Sequence, residues 1–284
     1  RTAGVNTLSP VLEIEGDVYK SIKVKQLAPT MPVGSTELRP HRLKVGLYDI
    51  ANDKLSRRKN VELDIAGALT EVTGLAGEKA ADLVLVNDGD QTYAKLRFDD
   101  RSIATMKSHL GKLDDSLSRG LIWASLWDST RDGELAASDY VTIALNALAG
   151  ETDITTVTMT VTQIEGAIWS FASDANREKL REQAANAFEK FFDSATAGSD
   201  HQLQYAKAFA DFAYTPAQFE KIKAILNGSI NGLTVDADLR WFVFICGVKR
   251  GIFNATDIET EAAKDVTAHG KQYVALAHAA LPSA

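Results

Sequence analysis

The stretch Leu83-Val84-Leu85-Val86-Asn87-Asp88-Gly89-Asp90-Gln91-Thr92-Tyr93-Ala94-Lys95-Leu96-Arg97-Phe98-Asp99-Asp100-Arg101-Ser102 decides how this chain is read. Its first four residues are continuously apolar, the pattern of a strand covered on both faces. Asn87 to Asp90 is a run of turn formers. Ala94, Leu96 and Phe98 then alternate with Lys95 and Arg97, which places one strand face in a core and the other in water. From Ser102 onward the period of two gives way to one of 3.6. The chain therefore divides near residue 100, strands before it and helices after it.

Upstream, the same alternation recurs. Ile22 and Val24 alternate with Lys23 and Lys25, Leu43, Val45 and Leu47 with Arg42, Lys44 and Gly46, and Val61, Leu63 and Ile65 with Glu62 and Asp64. Turn signals separate the runs at Glu15-Gly16-Asp17, Pro29 to Gly34, Asn52-Asp53 and Gly74 to Gly77. About seven short strands at this spacing predict a small two-sheet β-sandwich over residues 1–100.

Downstream, Leu180, Ala184, Ala187, Phe188 and Phe191 fall on one helical face, and Val266, Gly270, Tyr273, Ala277 and Ala280 do the same near the end. Ser116 to Trp127 is apolar almost all round, which predicts a buried helix. Thr152 to Thr162 is rich in β-branched residues, yet Ile154, Val157, Val161, Ile164 and Ile168 keep helical spacing, so a helix is expected. Capping boxes are expected at Ser199 with Gln202, Thr215 with Gln218, and Thr256 with Glu259. About ten helices on short loops predict an all-helical, α-solenoid-like domain of irregular superhelical form over residues 101–284.

Composition narrows the function classes. The 284 residues are 45% hydrophobic and 24% charged, a globular balance with a formal net charge of −7. No dense basic face is present, so nucleic acid and anionic membrane are not expected partners. No apolar run approaches the ~18 residues that span a bilayer. The single cysteine, Cys246, cannot close an internal disulfide, which points to a reducing, cytoplasmic compartment. The chain opens Arg1-Thr2-Ala3 with neither Met nor a basic-then-apolar leader, so it is expected to be a trimmed piece of something longer.

Chemistry is sparse. The five histidines, His41, His109, His201, His269 and His278, include no i, i+4 pair, so no metal ligands are assigned. No phosphate loop, nucleophile elbow or dinucleotide fingerprint occurs, and no catalytic residue is assigned. Cys246 lies in apolar Phe244-Ile245-Cys246-Gly247 and reads as a buried thiol. The carboxylates at Asp88, Asp90, Asp99, Asp100, Asp114 and Asp115 read as turn and helix caps. Trp123, Trp127, Trp169 and Trp241 read as core. Arg240, in Asp238-Leu239-Arg240-Trp241, has two readings: a surface cation paired with Asp236 or Asp238, or an anchor for a peptide carboxylate.

Several stretches, in order, resemble one family. They include Thr2-Ala3-Gly4-Val5-Asn6-Thr7-Leu8, Leu38-Arg39-Pro40-His41-Arg42, Leu85-Val86-Asn87-Asp88, Trp127-Asp128-Ser129-Thr130-Arg131-Asp132, Glu134-Leu135-Ala136-Ala137-Ser138-Asp139-Tyr140-Val141 and Val235-Asp236-Ala237-Asp238-Leu239-Arg240-Trp241. Their collinear run is similar to the C-terminal part of the bacterial, actinobacterial-type aminopeptidase N group of the zinc gluzincin aminopeptidases. The resemblance implies that a zinc-binding H-E-x-x-H and an amine-binding G-A-M-E-N loop lie in a separate catalytic domain; neither occurs here. It implies no cofactor in this chain, with zinc held by the missing N-terminal catalytic domain as the chain's partner. It further implies a β-sandwich linker and a helical bowl that caps the active-site cleft and admits peptide substrates, with Arg240 as a substrate-binding candidate. An exposed interdomain face would allow self-association. The alternative from a different class is a stand-alone α-solenoid peptide- or protein-binding module with a β-sandwich appendage.

Overall fold

A computed structural model describes residues 2–282. Among these, seven strands precede ten α-helices. The strands are β1 (Thr7–Glu15), β2 (Val18–Leu27), β3 (His41–Ala51), β4 (Lys54–Ile65), β5 (Leu69–Glu71), β6 (Leu83–Val86) and β7 (Lys95–Leu96). They form two sheets, ordered β5-β2-β1-β7 and β4-β3-β6. Leu8, Ile22, Val24, Leu43, Val45, Leu47, Val84 and Val86 fill one core between them. The alternating residues thus meet as their period demands.

Local chemistry explains the turns. Asn52 and Asp53, at φ 50° and 62°, close the β3–β4 hairpin with the two left-handed residues that such a tight turn requires. Two strands lay outside the sequence pattern. β1 is an edge beyond Leu8, where β7 stops pairing, and so it accommodates Pro10, which has no N–H to offer. β5 is only three residues long.

Within sheet β4-β3-β6, strand β6 and Val45 to Tyr48 of β3 are buried on both faces, whereas β4 keeps one face largely in water. All four residues of β6 are buried, as their continuous apolar run predicts. Val84 and Val86 face the sandwich core; Leu83 and Leu85 point the other way, where helix α1 (Asp100–His109) packs on β6. Ser102 of α1 accepts from Val84 N at 3.0 Å, which satisfies the outer edge of the sheet. Helix α2 (Ser116–Arg131) reaches the same outer face. There Tyr48 is fully buried, and its hydroxyl donates to Asp88 Oδ1 at 2.7 Å and lies 3.0 Å from Ser118 Oγ of α2. Arg57 Nε sits 2.9 Å from Asp88 Oδ2, and Arg57 Nη2 donates to Asp115 Oδ2 at 2.8 Å. Burial pushes the Tyr48 phenol up to about 12, so it stays a neutral donor. Asp88 is therefore a buried ion-pair member and not the turn cap its sequence context suggested, whereas Asp99 and Asp115 do cap α1 and α2.

The remaining helices are α3 (Ala137–Leu148), α4 (Ile154–Gly166), α5 (Asp174–Ser194), α6 (Asp200–Phe212), α7 (Pro216–Leu226), α8 (Ala237–Lys249), α9 (Ala255–Ala262) and α10 (Ala268–Ala279). Helical spacing wins over β-branched propensity in α4, where Val157 and Ile164 are fully buried. Thr215 and Gln218 form the expected capping box. Two boundaries differ from expectation. Asn254, not Thr256, caps α9, because its side chain reaches Thr256 N and Asp257 N first. Val266 is exposed and precedes α10, which Thr267 caps. Trp169 is exposed in a π-turn (Ala167–Phe171) and does not pack as core.

Secondary structure changes at Asp100, while compactness divides the chain into residues 1–152 with 162–172, and residues 153–161 with 173–284. Within the second unit α5 packs on α6, α6 and α7 on α8, and α8 and α9 on α10. Phe188 stacks on Phe212 at 5.4 Å and Phe192 on Phe209 at 6.0 Å. Trp241, Phe244, Val248, Ile258 and Ala277 form a further cluster.

Gly46 lies beside the buried pair. A Cβ there would come 2.6 Å from Asp88 Oδ2 and 2.9 Å from Tyr48 Cε2. Gly46→Ala is expected to cost about 1–3 kcal/mol through displaced neighbours, measured as a lower urea midpoint at unchanged slope.

Candidate functional site

Arg240 occupies the first turn of α8, which Asp236 caps by accepting from Leu239 N at 2.8 Å. The cap spends Asp236 on backbone, and Asp238 accepts from the Tyr273 hydroxyl at 3.0 Å. Neither nearby acid pairs with Arg240. Its guanidinium instead grips Glu261 of α9 through two bonds, Nε to Oε1 and Nη2 to Oε2, the latter 3.0 Å. Nη1 donates to the carbonyl of Leu226 at 3.0 Å, one of the orphan acceptors at the end of α7. One side chain thus ties three helices together. Lys264 Nζ adds a second cation 2.8 Å from Glu261 Oε2.

The electrostatics follow from this packing. Glu261 is buried, and burial alone would raise its carboxyl; hydrogen bonds from Arg240 and Lys264 outweigh it and hold the group below the usual range. The Glu261 hydrogen bond in turn pushes Arg240 further up. A cavity of about 310 Å³ opens beside the pair, walled by Arg240, Glu261, Lys264, Lys223, Phe244 and Phe253. These three hydrogen bonds use three of the five guanidinium donors, which leaves donor capacity beside the cavity.

A larger, mainly apolar cavity of about 600 Å³ lies along α6, α8 and α10, lined by Phe242, Ile245, Cys246, Tyr273 and Leu276, with Lys207 at its rim. Burial pushes the Cys246 thiol up to about 12, with Asp211 adding to the shift. At neutral pH it is a protonated packing group and not a nucleophile.

Among the described residues no three His, Cys, Asp or Glu side chains converge where they could hold a metal ion. The histidines have other company. His41 Nδ1 lies 2.7 Å from Thr92 Oγ1 and Nε2 lies 3.2 Å from Gln26 Oε1; His278 Nε2 is 3.0 Å from Glu259. Local sequence gave no signal for Glu261 as the Arg240 partner, since the two are 21 residues apart.

A family model described as the ERAP1-like C-terminal domain matches residues 83–284. A Streptomyces lividans protein named aminopeptidase N is 42% identical over 289 residues, covering 99% of this chain and 34% of that protein. The chain thus spans about a third of the length of that relative.

Arg240→Ala leaves Glu261 buried with one cation and strips the Leu226 carbonyl. The expected loss is about 2 kcal/mol, reduced from a fully buried pair because Arg240 is partly exposed. The pH dependence has a definite sign. Because the folded-state value of Glu261 is depressed, the pair's stabilisation is complete above the unfolded value of about 4.3 and fades as pH falls through the folded one. The gap between the urea midpoints of the two proteins should narrow from pH 7 down to pH 3, leaving the part due to the Leu226 carbonyl; a gap that stays constant contradicts the assignment.

Proposed function

We propose a function from one premise: the chain belongs to the family of ERAP1-like C-terminal domains. We infer that it is the non-catalytic C-terminal part of a zinc-dependent aminopeptidase that removes N-terminal residues from peptides. The observation that carries this reading is similarity along nearly the whole chain to about a third of a protein bearing that name, beside a match to a family described as a C-terminal domain. The described residues do not fit a zinc site: Asp99 and Asp115 are spent on helix caps and Glu261 on an ion pair, and no group of three His, Cys, Asp or Glu side chains converges. In this reading the metal and the general base belong to the catalytic domain outside this chain.

Residues 1–100 then serve as a β-sandwich linker and residues 101–284 as a helical domain that caps the cleft. Capping would admit peptides, exclude folded proteins and keep bulk water from the reacting bond, all without a chemical group of its own. Arg240, with donors to spare beside Lys264, is the candidate for the far end of a peptide substrate. The cytoplasm is the proposed compartment, supported by a lone, buried thiol. Among the described residues no helix is long and apolar enough to cross a membrane.

Two measurements test this. The 284-residue chain should release no p-nitroaniline from alanyl or leucyl p-nitroanilide and bind no stoichiometric zinc, while the full gene product does both and is silenced by a chelator. In that product Arg240→Gln should raise KM for long peptides and leave p-nitroanilide kinetics unchanged. Chelator-resistant activity in the purified chain overturns the reading. A gene product no longer than this chain favours instead a stand-alone α-solenoid module that binds peptides or proteins.

A further inference from the structure

Helix α2 is apolar almost all round, and such helices are normally covered all round. Its Ile122, Trp123 and Leu126 are buried as expected. A second face is not: Leu117 is 51% exposed, Gly120 and Ala124 are exposed, and nothing lies within 4 Å of a Cβ built on Gly120. This face forms one wall of a groove of about 370 Å³. The other wall is the loop after β6, with Tyr93 at 86% exposure.

The groove adjoins the point where the chain enters the fold. β1 and β7 pair in parallel, Thr7 beside Lys95, and Lys95 N donates to Asn6 O at 2.9 Å. Tyr93 and Ala94 therefore run alongside the residues just before β1. The loop after β2 borders the same residues: Asn6 Nδ2 donates to Leu27 O at 3.0 Å and Glu37 O at 2.7 Å, and Gly4 packs against Met31 and Pro29. That loop exposes Met31 at 67% and Val33 at 87%. Three of the four most exposed large hydrophobic residues described, Val33, Tyr93 and Met31, thus lie in the two segments that border Gly4 to Asn6. Apolar surface gathered in one place marks a contact.

We propose that this end of the first unit seats the polypeptide preceding Arg1 in the parent aminopeptidase, and that Tyr93, Leu117, Gly120, Ala124, Met31 and Val33 are its contact residues. The inference rests on the reading of this chain as a C-terminal part. About two thirds of the Streptomyces relative lies outside the match, and the matching family is a C-terminal one, so the remainder enters at this end. A neighbour joined directly at the entry point closes almost no loop, which makes this the cheapest surface for it to cover. Asp90 and Asp128 on the groove call for basic side chains at the edge of the occupant's apolar patch.

The test compares the 284-residue chain with the monomeric full gene product by tyrosine acetylation read by mass spectrometry, with Tyr214 as the internal reference. Tyr93 should react readily in the chain and about tenfold more slowly in the full product. Ala124→Arg should leave the Tm of the chain within about 1 °C, yet restore Tyr93 reactivity in the full product. Equal Tyr93 reactivity in chain and full product, or protection that Ala124→Arg does not disturb, overturns the proposal. So does protection that appears only where the full product dimerises, because a second copy is then the occupant. If the full product is an active aminopeptidase and Tyr93 still reacts freely, the seat is wrong and the functional reading stands. If no catalytic part is encoded upstream, both fall.

Discussion

A stretch of sheet with no wet face, β6 together with Val45 to Tyr48 of β3, is the constraint on which the first unit depends. In β4-β3-β6 the residues Val45, Leu47, Val84 and Val86 belong to the sandwich core, while Tyr48, Leu83 and Leu85 are buried outside it. A tyrosine on a dry face must have its hydroxyl satisfied, or folding loses the desolvation cost of that group. Asp88, Ser118 and Arg57 meet that need together. Because Ser118 comes from α2 and Asp88 from the loop after β6, satisfying one phenol also places a helix on a sheet. A buried ion pair adds little net stability compared with apolar packing, but losing one partner would leave the other charge buried and unpaired.

The second unit is held by the same kind of bond, used between helices. Arg240 ties α7 and α9 to α8, Trp241 Nε1 donates to Asp265 at 2.8 Å, and Arg250 donates to the Asp211 carbonyl near the end of α6. Arg181 reaches the Ala213 carbonyl at 3.2 Å and lies over the Tyr214 ring. These are the charges that a search for chemistry would single out. Here they complete helix ends, where carbonyl groups lack intrahelical partners. A domain built this way can contribute shape and exclusion to a reaction, which is the role proposed for it.

Much was legible from local pattern. Period-two alternation located β2, β3 and β4, a continuous apolar run located β6, and 3.6 spacing located α4 against its β-branched content. Thr215 with Gln218 is a capping box because cap and partner are three residues apart, so nothing distant can intervene. The readings that shifted each depended on something distant or on a nearby competitor. Asn254 displaced Thr256 as a cap by standing two residues earlier. Trp169 and Val266 are apolar but uncovered, and the apolar circumference of α2 is covered on one side only.

The order of residues alone determined where strands end and helices begin, and which family the chain resembles, because both are written in spacings of a few residues. It also showed that no zinc motif is present to carry chemistry. Only the tertiary structure decided that Asp88 is buried against Arg57, that Glu261 claims Arg240, and that one face of α2 stands open beside Tyr93. Those outcomes join residues twenty to forty positions apart or more. Pairing and burial at that range are set by how whole elements pack, and a side chain's own sequence neighbours do not encode them.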